Sequence, residues 1–233
     1  MNQQEVLTII KETKHWLLLN KSAGMVVEKN PYEETSVEGL VYEYLAEQYR
    51  NPYVGIVHRL DRVTSGALLI AKRKSALRRL NEQFRQQQVQ KTYVAIVSNT
   101  PPQTHAYLKH YLIKNQKEKR SEIYEQPVEG GKLVELKYEL LKESDDLSLL
   151  RIYPETGKFH QIRAQLAAID CPIVGDKKYG STYSYVDRKI ALHAERLRFE
   201  YTQNGLVKIE DYRADLPDDE LWSNFRSDKM ARN

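Results

Sequence analysis

The sequence of 233 residues predicts one mixed α+β domain. Three observations point there. Segments that alternate or run apolar with β-branched and aromatic residues dominate the chain, as strands do. A few segments with helical spacing punctuate them. Neither an internal repeat nor a linker-like stretch divides the whole, and the length suits one large domain or two small ones.

The elements follow in order. Val6 to Ile10 and Trp16 to Leu19 read as short strands, with a turn over Asn20 to Gly24 and Met25 to Val27 beyond it. Thr35 followed by Glu38 has the pattern of a capping box, and Val37, Leu40, Val41, Tyr44 and Leu45 recur at helical spacing, predicting a helix over about 36–49. Val54 to Val57, a polar loop through Ser65-Gly66, and the apolar run Ala67 to Ala71 suggest two strands with a loop held between them. Leu77, Leu80 and Phe84 mark the apolar face of a second helix over 73–85, whose other face carries Arg78, Arg79 and Arg85. Lys91 to Ser98, Leu133 to Leu141 and Leu147 to Tyr153 read as strands. Phe159, Ile162, Leu166 and Ile169 predict a helix over 159–169, closed by Pro172. Ala194 to Tyr201 and Leu206 to Glu210 predict a hairpin around Asn204-Gly205, and Leu221, Trp222 and Phe225 anchor a short final helix whose end is read as exposed.

Composition narrows the function classes. Hydrophobic residues make up 41% and charged residues 29%, with only 10 Gly and 8 Pro, which disfavours disordered and fibrous chains. No apolar run reaches the roughly 20 residues of a membrane span, and the first residues lack the apolar core of a signal peptide. Cys171 stands alone, so neither an internal disulfide nor a cysteine zinc site is available. A cytoplasmic, soluble protein without membrane association is expected. The formal charge of +4 is unevenly spread: between Arg50 and Lys91 ten basic residues face two acids, Asp61 and Glu82. A positive face of this kind concentrates polyanions, and nucleic acid is the leading partner. A second basic stretch (Lys109, Lys114, Lys117, Lys119, Arg120) reads as a hairpin tip, and the acids Asp211, Asp215, Asp218, Asp219 and Glu220 as a solvated flank.

The densest chemical signal is His58-Arg59-Leu60-Asp61-Arg62-Val63-Thr64-Ser65-Gly66. Two arginines and a histidine flank a carboxylate, and Thr64, Ser65 and Gly66 shape a tight loop. Neighbouring cations favour the ionised form of Asp61. An oriented carboxylate can act as nucleophile or base; the same residues also suit a loop held by an Asp–Arg pair. A second cluster is Thr156-Gly157-Lys158-Phe159-His160-Gln161-Ile162-Arg163. Its Arg163 offers a rigid donor fork to a carboxylate or phosphate, while His160 reads as a capping or supporting residue. Tyr93, in a strand, suits either core packing or stacking on a base.

The segment HRLDRVTSG followed by ALLIAK resembles the signature of the RluA family of RNA pseudouridine synthases. LLLNKSAGMVV (17–27), KTYVAIV (91–97), TGKFHQIRAQLA (156–167), CPIVGDKKYG (171–180) and LHAERLRFEY (192–201) resemble the family's other motifs, in its order, over about residues 14–201. The resemblance implies a mixed, largely antiparallel sheet in two sub-halves with a central active-site cleft. It implies a single catalytic domain over 1–233 with no separate S4 RNA-binding module, and chemistry with no cofactor and no metal. Residue by residue, it makes Asp61 the catalytic aspartate and Arg59 the side chain that enters the RNA stack. Tyr93 stacks on the flipped base, and Arg163 pairs with Asp61. Arg62 and His58 contact RNA, and Thr64, Ser65, Gly66, His160 and Gln161 support the site.

On this reading uracil leaves C1′ through nitrogen, turns, and returns through C5. Asp61 either abstracts the 2′ proton or attacks C1′; the sequence leaves both routes open. A flipped base costs least to unstack in a single-stranded loop, so a ribosomal or transfer RNA stem-loop is the expected substrate. The compact length leans toward members that accept short stem-loops, and a monomer with no obligatory protein partner is expected. Ser22 stands where the family commonly has Pro, Lys158-Phe159 where it has Arg-Thr, and Gln165 where it has His. Two competing readings are a non-catalytic RNA-binding module and a carboxylate hydrolase. The hydrolase needs a second acid, and only Glu155 and Asp176 offer one, beside the turn residues Gly157 and Gly175.

Overall fold

A computed structural model describes residues 7–33, 35–203 and 205–225. Val6 of the first expected strand and Asn204 of the last turn lie outside the described residues. In chain order the elements are β1 (Thr8–Glu12), β2 (Trp16–Lys21), α1 (Val37–Ala46), β3 (Gly55–Ile56), β4 (Ser65–Ala71) and α2 (Lys74–Arg85). There follow β5 (Gln90–Ser98), β6 (His105–Asn115), β7 (Arg120–Tyr124), β8 (Lys132–Ser144), β9 (Leu147–Pro154) and α3 (Gln161–Ala167). A 3₁₀ turn (Lys177–Tyr179), β10 (Leu192–Gln203), β11 (Leu206–Arg213) and α4 (Glu220–Phe225) complete the chain. Strands outweigh helices, as expected of the α+β class. Among the described residues no helix is long and apolar enough to cross a membrane.

The contacts divide the chain into two compact units: Met1–Gln90 with Ala194–Asp215, and Lys91–His193 with Leu216–Asn233. In the first unit β1–β2, β2–β4, β3–β4 and β10–β11 pair antiparallel, and β4 lies between β2 and β10. β4 (SGALLIA) is buried at every position, which is why it reads as a continuous apolar run rather than an alternating one. Trp16, Leu18, Leu69, Leu80, Leu197 and Phe199 form the centre of its core. α2 adds Ala76 and Leu80 to that core and leaves Lys74, Arg78, Arg79 and Arg85 exposed, as its amphipathic pattern requires. In the second unit β5, β9, β8, β6 and β7 pair antiparallel in that order. Its interior gathers Val94 and Ile96 of β5, Leu136 of β8, Leu150 and Ile152 of β9, and Leu166 of α3.

Five expectations are corrected. The cap of α1 is Ser36, one residue past Thr35: its hydroxyl accepts from the Gly39 amide at 3.1 Å, while the Glu38 carboxylate accepts from the Lys29 amide instead. That helix stops at Ala46 because the Leu45 carbonyl accepts from both Gln48 and Tyr49. α3 begins at Gln161, since His160 is left-handed (φ 52°) and leaves Phe159 outside the helix. The Trp222–Phe225 end is not exposed: both rings are buried, and Asp219 starts α4 by accepting from the Trp222 amide at 3.1 Å. The acidic flank is likewise partly engaged, Asp211 forming a two-point ion pair with Arg196 at 2.7 Å.

Candidate active site

The β3–β4 connection carries the first cluster. Its register is fixed by Gly66, opposite Lys21 in the β2–β4 ladder. Gly66 has φ +114°, and a Cβ there would meet the Ala194 carbonyl oxygen at 2.3 Å, so only glycine allows this strand start. Upstream, the Thr64 amide donates to the Asp61 carbonyl at 3.0 Å, closing a tight turn with Asp61 at its head. The turn is clasped to the segment after β2. Gly24 N–H donates to the Arg62 carbonyl at 2.7 Å, and Arg62 Nε returns a bond to the Gly24 carbonyl at 3.1 Å. Arg62 also forms an ion pair with Glu33.

Lys21 is the centre of this clasp. Its side chain is 3% exposed, and Nζ donates to the carbonyls of Ser22 (2.8 Å), Met25 (2.8 Å) and Arg62 (3.2 Å). Burial pushes its pKa down to about 7, and the charge of Asp61 opposes that fall. The buried Lys21 ammonium is thus bonded into the turn that the half-buried Asp61 heads, through the Arg62 carbonyl. Arg59 reaches outward: its side chain is 71% exposed and pairs with Glu28 at 2.8 Å, a solvent-screened contact that holds it weakly. His58 is tied into the frame, since Nε2 accepts from the Leu69 amide at 3.0 Å and the ring stacks on Phe84. Thr64 and Ser65 are buried at the root of the loop.

The second cluster belongs to the other unit. Arg163 and Asp176 form a buried two-point ion pair, Nε to Oδ2 at 2.6 Å and Nη2 to Oδ1 at 2.9 Å. The fork geometry fixes the guanidinium plane, and the Tyr179 ring packs 5.1 Å from it. Tyr179 also ties in His160, whose Nδ1 lies 3.0 Å from the tyrosine hydroxyl. Burial, then the charge of Arg163, lowers the His160 pKa to about 3, so this imidazole is neutral at ordinary pH. Gln161 is a framework residue: Oε1 accepts from the Thr156 hydroxyl (2.8 Å) and Lys158 amide (3.1 Å), and Nε2 donates to the Glu135 carbonyl (3.1 Å) and Gln165 (3.0 Å). Tyr93 stands on β5, opposite Ile152 of β9.

The sequence-predicted residues thus fall into two groups. His58, Arg59, Asp61, Arg62, Thr64, Ser65 and Gly66 come together on the β3–β4 connection of one unit, and Tyr93, His160, Gln161 and Arg163 lie in the other. Sequence reasoning missed Lys21, Asp176 and Tyr179. Asp176 reads as a turn residue beside Gly175; the signal for its ion pair is an acid one glycine past the apolar run Pro172-Ile173-Val174, where a buried carboxylate needs a cation. Among the described residues no group of His, Cys, Asp or Glu is placed to hold a metal ion.

Asp61 thus heads a tight turn whose neighbours in sequence are basic. Comparison with known proteins gives the family. Residues 15–168 match the family model described as RNA pseudouridylate synthase. The chain is 35% identical over 203 residues to ribosomal large subunit pseudouridine synthase C of Buchnera aphidicola, covering 82% of this chain and 62% of that protein. It is 31% identical over 198 residues to an RNA pseudouridine synthase of Haemophilus influenzae, covering 85% and 84% of the two. Among solved structures, human RNA pseudouridylate synthase domain containing 4 superposes with a TM-score of 0.74 at 22% identity, over 91% of this chain and 89% of that one. The chain belongs to the RNA pseudouridylate synthase family and is of the RluA type. It spans 62–64% of the length of the first synthase C and D relatives that it matches.

Proposed function

We propose that the chain is an RNA pseudouridine synthase that isomerises uridines in structured RNA, with Asp61 as the catalytic carboxylate. The observation that carries this reading is the placement of Asp61. Half-buried, it heads a turn that Gly24 and the Lys21 ammonium hold at Arg62, inside the sequence region richest in unopposed positive charge. Rigidity keeps the carboxylate oriented without solvent reorganisation. It attacks C1′ or removes the 2′ proton; uracil departs through nitrogen and rejoins through C5, so no redox partner enters the balance. Arg59, exposed and loosely held, is the side chain suited to enter the RNA stack. Tyr93 takes the flipped base, and Arg62 and His58 serve the RNA-facing loop chiefly by holding its shape. Arg163 is the cation the family pattern assigns to the aspartate, and Asp176 sets its orientation.

The names of the relatives point to large-subunit ribosomal RNA as the first substrate class, with a stem-loop as the form that exposes the base most cheaply. Transfer RNA stem-loops are the second. A cytoplasmic monomer accords with this role. The test is a pseudouridine map of total RNA from cells with and without the gene, complemented by wild type or Asp61→Asn. Sites lost on deletion, restored by wild type and not by Asp61→Asn, are the expected result. An unchanged map with verified expression would remove the isomerase reading, and rescue by Asp61→Asn would remove Asp61 from the chemistry.

A further inference from the structure

Phe159 is an anomaly of placement. Phe199 and Phe225 are buried and Phe84 packs against the first unit's core, yet Phe159 is 37% exposed. It is nonetheless held firmly. Its carbonyl accepts from the Ser121 hydroxyl at 2.5 Å, the next residue is locked in the left-handed region, and its ring lies 3.7 Å from that of His160 at an interplanar angle of 21°. His160 in turn is anchored on Tyr179, the same ring that packs on Arg163. Lys114 lies over its face, with the ammonium 4.7 Å from the Phe159 centroid at the end of a flexible stem. Lys114 pairs with Ser121 across the β6–β7 hairpin, whose turn brings Lys117, Lys119 and Arg120 close by. Lys178 joins them by donating to the Glu118 carbonyl at 3.2 Å.

We propose that Phe159, backed by His160, is a stacking shelf for an unpaired nucleobase of the RNA that flanks the target uridine, and that Lys114 moves from the ring to a phosphate when the base arrives. This deepens the reading of the chain as an RNA pseudouridine synthase and rests on it. Magnitudes favour the exchange. Stacking of a base on an aromatic ring is worth roughly 5- to 150-fold in affinity, whereas an exposed cation–π contact is worth about 2- to 5-fold. The displaced ammonium loses little by leaving the ring and regains an anionic partner. A neutral His160 behind the ring keeps the shelf free of a second charge that would repel Lys114. Phe159 occupies the position where the sequence departs from the family's commoner Thr, so the shelf is a specificity element of this chain. Two rings from Arg163, by way of His160 and Tyr179, it takes a nucleotide that flanks the target rather than the target itself.

The test uses the full chain carrying Asp61→Asn, so that turnover is halted, and a fluorescein-labelled RNA hairpin with a uridine loop as the probe. Phe159→Leu keeps the apolar cover over His160 and removes the π face; it is expected to weaken binding about 5- to 50-fold. Phe159→Trp is expected to hold or tighten it. One abasic loop position is expected to weaken the parent and to add nothing in Phe159→Leu. Lys114→Ala is expected to lower the slope of log affinity against log salt by about 0.7, the share of one phosphate contact on a single strand. Phe159→Leu binding as the parent does, with a melting temperature showing both are folded, would overturn the shelf, and so would a hairpin that neither protein binds. Failure of the isomerase reading shows elsewhere, as an unchanged pseudouridine map, so the two are distinguishable.

Discussion

Lys21 is a residue whose length and charge serve different ends. Its stem fills buried space and its ammonium satisfies carbonyls on both sides of the clasp. With three acceptors engaged, Nζ has no donor left to spend on substrate, so its work is to position the Asp61 turn. Lys21→Met keeps the stem and strands the Ser22 and Met25 carbonyls, while the Arg62 carbonyl keeps its bond from Gly24. The melting temperature should fall by roughly 5 °C, with the turnover number of the folded fraction reduced far less. An unchanged melting temperature with lost turnover would instead put the ammonium in the chemistry. Asp61 and Arg163 stand out in the sequence because their motifs are dense in ionisable residues. Lys21 and Asp176 do not: Lys21 is a single charge in an apolar stretch, Asp176 stands beside two lysines that hide its real partner, and the partners lie about forty and thirteen residues away, beyond any local pattern.

At the scale of elements, the chain's strongest local rule is the glycine at the head of β4. Gly66→Ala would place a methyl group against the Ala194 backbone and force a non-glycine residue to φ +114°. Neither the strand partner nor the backbone can yield, so thermal denaturation should show a loss of about 4 kcal/mol or more, or no folded protein at all. A variant as stable as wild type would mean that β4 and β10 can part at this point. Most elements were visible from period and apolar runs; their ends were not. Helical phase alone carries α3 back to Phe159, and the left-handed His160 breaks it there. The burial of Trp222 and Phe225 escaped notice because it depends on partners such as Lys142, which donates to the Asn224 carbonyl at 2.7 Å.

Across the whole molecule, charge is apportioned rather than summed. A formal excess of four would bind RNA feebly, but the stretch from Arg50 to Lys91 concentrates ten basic residues, and α2 keeps Lys74, Arg78 and Arg79 exposed. Arg85 is already matched by Glu82 at 2.5 Å. Reversing Lys74 and Arg78 to Glu should therefore weaken RNA binding tenfold or more at low salt and flatten its salt dependence by about one to two phosphate contacts. Reversal of Arg85 alone should do less. Equal effects from both, measured by titration at several salt concentrations, would argue against a preferred face. The charge asymmetry was plain in the sequence; which of those cations are spent internally was not.

The partition of the chain has a temporal consequence. The strand that flanks β4 in its unit arrives with Ala194, more than a hundred residues after Ala71. At ordinary elongation speeds of about 5–20 residues per second, the nascent chain carries that apolar run for roughly 6–25 s with one edge covered only by the two-residue β3. During that interval an all-buried sequence is exposed to other chains, which is the condition that recruits chaperones and, failing them, seeds aggregation. Synthesis rate thereby becomes a determinant of yield: slowing translation between residues 72 and 193 lengthens the vulnerable interval, and hastening it shortens the wait for β10.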